Sequence, residues 1–247
     1  MDEATKLYVL SFEDMETEVI SITRGVDRRE LPSYSVSEAA LYLHIPERTL
    51  RSWMYERRSP LPNGKFAISA PLIEPADNQG GKLSFYNLVE AHILKSTRDR
   101  DEVPMNAIRD ALDYAAPGSP RHPLITREFL TEGRYLFEER YGQLVNSTKQ
   151  GQLAFGPIMT AYLDRIDRDT LKYPSAIYPF IPQKPQSKVV VIKPGVSSGV
   201  PTIAGTGISI PILYGRLTAG DSISDLAEDY ELDLEQVEDA IAYIEAA

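Results

Sequence analysis

The sequence runs to 247 residues, 43% hydrophobic and 25% charged, which are proportions of a soluble globular protein longer than one typical domain. It contains no cysteine, so disulfides, thiolate metal sites and a cysteine nucleophile are excluded, and no apolar run approaches the ~18–20 residues that span a bilayer. The formal net charge of −10 argues against nucleic-acid binding by the chain as a whole.

The N-terminal residues show no basic stretch followed by an apolar one, so no signal peptide is expected and the reading is cytoplasmic. Residues 1–33 read as an irregular lead-in with one or two short strands. A dense helical pattern covers residues 35–58, and Ser59-Pro-Leu-Pro-Asn-Gly64 breaks it. Residues 65–84 suit a hairpin or wing. Residues 87–100 and 104–115 are expected as amphipathic helices, with Pro104 at a first helical position. Within 126–170, residues 134–137 and 143–145 are candidate strands and 157–169 a candidate helix. Prolines crowd residues 173–185, which predicts a semi-rigid strap. A strand at 189–192 and a final helical region follow. The expected class is mainly α with minor β, divided as 1–33 lead-in, 34–117 DNA-binding domain, 118–187 mixed middle region and strap, and 188–247 acidic interaction domain.

Residues 36–53, Val36-Ser-Glu-Ala-Ala-Leu-Tyr-Leu-His-Ile-Pro-Glu-Arg-Thr-Leu-Arg-Ser-Trp53, carry a helix-turn-helix pattern. Ser37 is placed to cap the first helix. Ala40 is small where two helices cross, and Val36, Leu43, Ile45, Leu50 and Trp53 form the packing set. His44 holds the turn position usually given to Gly. Pro46 starts the second helix, whose outward residues are Arg48, Thr49, Arg51 and Ser52. A second helix of this kind enters the major groove with its early residues at base edges. Arg57, Arg58 and, on the wing, Lys65 complete the candidate DNA contacts. An ordinary amphipathic helix pair is the plain alternative. The succession over residues 34–115 resembles the MerR-type winged helix-turn-helix family. Thr49-Leu50-Arg51-Ser52-Trp53 matches that family's recognition helix, and Phe85-Tyr86-Asn87-Leu88 matches the element that closes its wing.

A second pattern spans residues 223–241. Setting Ala227 on Ala40 superimposes Ile223 on Val36, Tyr230 on Leu43, Leu232 on Ile45, Val237 on Leu50 and Ala240 on Trp53. The outward residues are now Glu235, Gln236 and Glu238. Residues 221–247 hold ten acids (Asp221, Asp225, Glu228, Asp229, Glu231, Asp233, Glu235, Glu238, Asp239, Glu245) and no Lys or Arg. Such a surface repels phosphate and suits either a basic protein or simple solubility. The candidate partner contacts are Glu235 and Glu238 with apolar anchors Tyr214, Leu217, Tyr230 and Tyr243. Gly199-Val-Pro-Thr-Ile-Ala-Gly-Thr-Gly207 and its continuation resemble the domain of unknown function 433, with Gly207 where Arg is usual.

Together the two ends, with Glu139-Arg-Tyr-Gly-Gln-Leu-Val-Asn-Ser147 between them, resemble the large VapB-type antitoxins. That resemblance implies double-stranded operator DNA and a PIN-domain ribonuclease toxin as partners and autorepression of the operon; an enzyme is the third reading, disfavoured because the sequence shows no nucleophile–base or metal constellation. A homodimer is expected because helix-turn-helix readers usually bind paired half-sites. His44, His92 and His122 are scattered, so no metal or cofactor is expected. The rival reading is a MerR-type ligand-responsive regulator without a toxin.

Overall fold

The computed structural model describes residues 27–60, 65–96, 121–125 and 160–246. The elements expected at 104–115, 134–137 and 143–145, and the lead-in before residue 27, lie outside the described residues. Over those residues the chain is helix-rich, with three small antiparallel two-stranded sheets.

Helices α1 (Val36–Leu43) and α2 (Glu47–Met54) form the first pair. The cap of α1 is Ser35 rather than Ser37. The Ser35 hydroxyl accepts from the Glu38 backbone amide, and the Glu38 carboxylate accepts from the Ser35 amide, a reciprocal capping box that satisfies two otherwise orphan donors. Ser37 instead donates to Glu47 of α2 at 2.8 Å. His44 takes the left-handed conformation that ends α1 (φ 50°, ψ 47°), and Pro46 is the residue before α2. Val36, Ala40, Leu43, Ile45, Leu50 and Trp53 are all buried, as the pattern requires.

The helical pattern of residues 35–58 ends early, at Met54. The Trp53 carbonyl accepts from the amides of Leu72 and Ile73 at 2.7 and 3.0 Å, and Tyr55 is extended. Residues 57–58 therefore begin the wing instead of extending α2. Strand β1 (Arg57–Pro60) pairs with β2 (Phe66–Ser69), with Arg57 opposite Ser69 and Pro60 opposite Phe66. Isolated bridges Asp77–Lys82 and Tyr34–Leu83 bring the chain back to α1.

Helix α3 (Phe85–Ser96) is not amphipathic over this span: every residue but Lys95 is buried. Its first turn explains the wing-closing motif. The Asn87 side-chain carbonyl accepts from the amides of Ser84 and Ala76, and its NH2 donates to the Glu74 carbonyl and to Glu90. One side chain so fixes the end of the wing segment to the start of the helix. Glu90, fully buried, takes a second hydrogen-bonding contact at 3.0 Å with His122 Nδ1, and burial raises its pKa against that contact. Lys95 donates to the Leu43 carbonyl at the end of α1, where cationic groups are favoured.

What covers α3 comes from later in the chain. The 3-10 turn Pro123–Ile125 and the sheet of β3 (Ile166–Arg168) with β4 (Pro174–Ile177) contribute Leu124, Ile125, Ile166 and Ile177 to the same core as Trp53 and Leu50. The helix expected over 157–169 persists only to residue 163 in the described part, because Ile166–Arg168 pairs as a strand. Arg29 ties this layer to α3. It lies over the Tyr86 and Tyr173 rings and donates to Asp169 at 2.7 Å.

The proline strap is held by Arg165, a residue only 4% exposed. Its guanidinium donates to the carbonyls of Tyr178, Pro179, Pro185 and Ser187 and packs 4.0 Å from the Phe180 ring. A guanidinium offers five donors in a rigid fork, so it can gather carbonyls that prolines leave without local amide partners. Beyond the strap, β5 (Val190–Val191) pairs with β6 (Thr202–Ile203). Helices α4 (Ile210–Ala219), α5 (Ile223–Asp229) and α6 (Leu234–Glu245) then enclose a second core around Leu213, Leu226, Val237 and Ala240.

Two tyrosines join the ends of the chain. Tyr34 donates to the Gly199 carbonyl, and a Cβ on Gly199 (φ +82°) would lie 2.3 Å from the Tyr34 hydroxyl oxygen, so this contact requires glycine. Tyr243 of α6 donates to the Tyr42 carbonyl at 2.6 Å and packs on the His44 ring, 4.7 Å between centroids. Burial and the charge of Lys95 push His44 down to a pKa of about 4. Among the described residues no helix is long and apolar enough to cross a membrane, and no group of acidic or histidine side chains could hold a metal ion.

Candidate nucleic-acid interface

The candidate reading residues lie on one short helix. Trp53 and Leu50 bury the inner face of α2 and so turn the opposite face outward, where Arg48 and Arg51 are exposed and Thr49 and Ser52 partly so. Ser52 donates back to the Thr49 carbonyl, which turns its hydroxyl toward its own helix. Arg51 is not a free cation. Its Nε and Nη2 reach Glu47 Oε1 at 2.7 and 2.6 Å, one turn earlier, and hydrogen bonds from Ser37 and Arg51 hold the Glu47 carboxyl below the usual carboxylate range. The pair is exposed and exchanges readily with water or phosphate, since such pairs contribute about 0–1 kcal/mol. Glu47 thus fixes where the guanidinium starts from. It was missed as a site residue although its i, i+4 spacing to Arg51 was readable.

The wing places Arg57 and Arg58 on β1, paired with Ser69 and Ile68, and leaves Lys65 exposed just before β2. Beyond these, β2 exposes two apolar side chains two residues apart, Phe66 at 64% and Ile68 at 62%, which the sequence reading passed over.

The acidic end distributes its candidates differently from expectation. Tyr243 is 2% exposed and belongs to the joint with α1, so it cannot serve as a surface anchor. Leu217 and Tyr230 pack partly against the second core, and Tyr214 is half-buried. Arg216 lies over the Tyr230 ring and is bonded to both Asp221 and Asp229 at 2.6 Å. One arginine just outside the window is therefore shared between two of its ten acids and offsets one unit of their charge. Glu235 and Glu238 remain exposed, together with two unforeseen apolar residues, Ile212 and Leu234. Gly207 has φ +75°, so a side chain there would strain the backbone.

The two helix pairs correspond feature by feature under the shift that carries Ala40 to Ala227. Ser222 and Asp225 form the same capping box as Ser35 and Glu38. Glu231 (φ 53°) takes the left-handed turn position of His44 (φ 50°). The Ile45 amide donates to Ala40 and the Leu232 amide to Ala227, both at 2.9 Å.

A family described as "Putative DNA-binding HTH domain" matches residues 32–112, and one described as "Protein of unknown function (DUF433)" matches residues 190–244. Among curated proteins, "Putative antitoxin VapB45" of Mycobacterium tuberculosis is 31% identical, over 89% of this chain and 96% of its own length. The chain belongs to the VapB45 family. The "Uncharacterized protein Rv2308" of the same organism is 29% identical to this VapB45-family chain, over 91% of it and 93% of the relative. The crystal structure of Rv2018 from M. tuberculosis shares the fold with a TM-score of 0.63 at 25% identity, covering 87% of the family member described here and all of that chain.

Proposed function

We propose that this protein is a DNA-binding antitoxin of a toxin–antitoxin pair. In this reading a MerR-like winged helix-turn-helix, residues 34–117, binds the operator as a homodimer and represses the operon. The acidic domain, residues 188–247, binds a PIN-domain ribonuclease. The observation that carries the reading is one chain with two copies of the same helix-turn-helix path, one facing outward with Arg48 and Arg51 and the other with Glu235 and Glu238. The first charge set suits phosphate and base edges. The second suits the basic rim that a ribonuclease needs to hold RNA. Membership of the VapB45 family supports the pairing of these two roles.

Arg48, Thr49, Arg51 and Ser52 are assigned to the major groove, with Arg57, Arg58 and Lys65 toward the flanking phosphates. Arg51→Ala should weaken operator binding by about 1–3 kcal/mol if the guanidinium makes a bidentate base contact. Gel-shift titration of wild type and variant against the operator tests this, and equal affinities would remove α2 from the interface. Co-purification of the protein encoded by the neighbouring reading frame tests the other half. A neighbour that is neither a nuclease nor bound would favour ligand-responsive regulation.

A further inference from the structure

A groove opens between residues 184–189, which lead from the strap toward β5, and one side of α6. The α6 wall is formed by Asp233, Glu235, Gln236 and Asp239. Under the shift that carries Ala40 to Ala227, Glu235, Gln236 and Asp239 stand where Arg48, Thr49 and Ser52 stand on α2. The groove therefore follows the face of α6 that corresponds to the groove-reading face of α2.

A cation of the chain itself already lies in it. The Asp239 side chain is 4% exposed, accepts from the Ser187 hydroxyl, and is in ion contact with the Lys184 ammonium. Lys184 is 38% exposed, and Asp239 first, then Glu235 and Glu238, favour its charged form. Val189 and Ala204 add apolar surface to the groove, which affinity needs because exposed charge pairs alone contribute little. A nearly buried carboxylate with a half-exposed lysine above it is an asymmetric pair. The lysine can leave for water at small cost, whereas the carboxylate must keep a cation.

We infer that this groove is the binding site for a basic, extended segment of a protein partner, in which Lys184 is an internal stand-in that an incoming Arg or Lys displaces from Asp239. The inference rests on the reading of the acidic domain as a protein-binding domain. An arginine suits the site better than the lysine it replaces, because its fork can take both carboxylate oxygens. Glu235 on the rim then meets the next basic residue of the segment.

Two probes separate the groove from the reading on which it rests: a labelled peptide of alternating Arg and Gly, and the purified product of the neighbouring reading frame. Both are titrated against the full-length chain, Asp239→Asn and Lys184→Ala. Asp239→Asn should weaken each complex about 30-fold or more, as for one lost side of a buried charge pair. Lys184→Ala should tighten each about two- to fivefold, since it removes an exposed competitor. The opposite signs are the signature. A purely structural pair would make both substitutions weaken binding or leave it unchanged, and that result overturns the inference, as does failure of the peptide to bind. A neighbouring protein bound equally by all three chains overturns the groove and leaves the antitoxin reading standing. A peptide bound with the expected signs beside a neighbour that does not bind does the reverse.

Discussion

Helices α1–α2 and α5–α6 follow one backbone path and are filled differently. Both begin in a serine capping box, turn through a left-handed residue, and close with an amide donating five residues back to an alanine carbonyl. In the first pair the crossing is filled by Trp53 and covered by α3. In the second, Ala240 stands in that position, and α4 contributes Ile210 and Leu213 to the same core. The outward faces carry opposite charge. The difference teaches that this path is specified by caps, one small residue and one turn residue. The partner is written separately, on residues that the path leaves free.

The largest test of that separation is to exchange the fillers. Trp53→Ala should cost about 3–5 kcal/mol, as for a deleted core aromatic, and abolish operator binding with it. Ala240→Trp should cost about 1–3 kcal/mol by overpacking the second core. Denaturant melts followed by circular dichroism measure both. An unchanged midpoint for Trp53→Ala would mean that the first pair does not hang on its aromatic.

The turn residues give a smaller and pH-dependent contrast. Glu231 is exposed, whereas His44 is packed under Tyr243 with its pKa pushed down to about 4. Unfolded histidine titrates near ~6.5, so between those values the unfolded chain binds the extra proton. Stability attributable to His44 is thus complete above the unfolded pKa and is lost as the pH falls toward 4, by at most ~1.4 kcal/mol per pH unit. His92, pushed down to about 3 by burial, adds to the same limb in any variant that keeps it. His44→Asn retains a residue tolerant of the left-handed turn and removes the titration. Urea midpoints across this range should fall more steeply for wild type than for the variant, and parallel curves would acquit His44.

The smallest expected effect is the most direct check of equivalence. Ser35→Ala and Ser222→Ala each remove one side of a capping box and should each cost about 1 kcal/mol. Thermal melts that differ widely between them would show that the shared path is stabilised differently at its two locations.

Much of this was legible in the sequence, for identifiable reasons. The packing set of α1–α2, the alignment of Ala227 on Ala40 and the left-handed His44 all depend on spacing within about twenty residues, which a linear pattern carries well. The cap is Ser35 rather than Ser37 because Glu38 stands three residues after Ser35 and completes a capping box, a local signal that the reading overlooked, while Ser37 turns to Glu47. The end of α2 was misplaced because Leu72 and Ile73, far along the chain, take the Trp53 carbonyl. The surroundings of α3 were illegible for the same reason, since its covering residues follow after the wing and after residues 97–120. Tyr243 looked like a surface anchor because nothing in residues 223–247 indicates that α1 lies against it. The groove over Asp239 went unseen because its two walls are contributed by the strap and α6, about fifty residues apart.

The joint at Tyr243 also sets an order of events. Its hydroxyl meets the Tyr42 carbonyl across a sequence separation of 201 residues. At ribosomal rates of about 5–20 residues per second, the first helix pair emerges roughly 10–40 s before the tyrosine that completes its back wall. During that interval His44 lacks the ring that later packs on it, and the Tyr42 carbonyl lacks the hydroxyl that it later accepts from. The first helix pair is made first and finished last, and long-range closure of this kind is the slow part of folding. A newly made molecule therefore passes through a period in which its N-terminal helix pair is assembled without the contact that couples it to the acidic end.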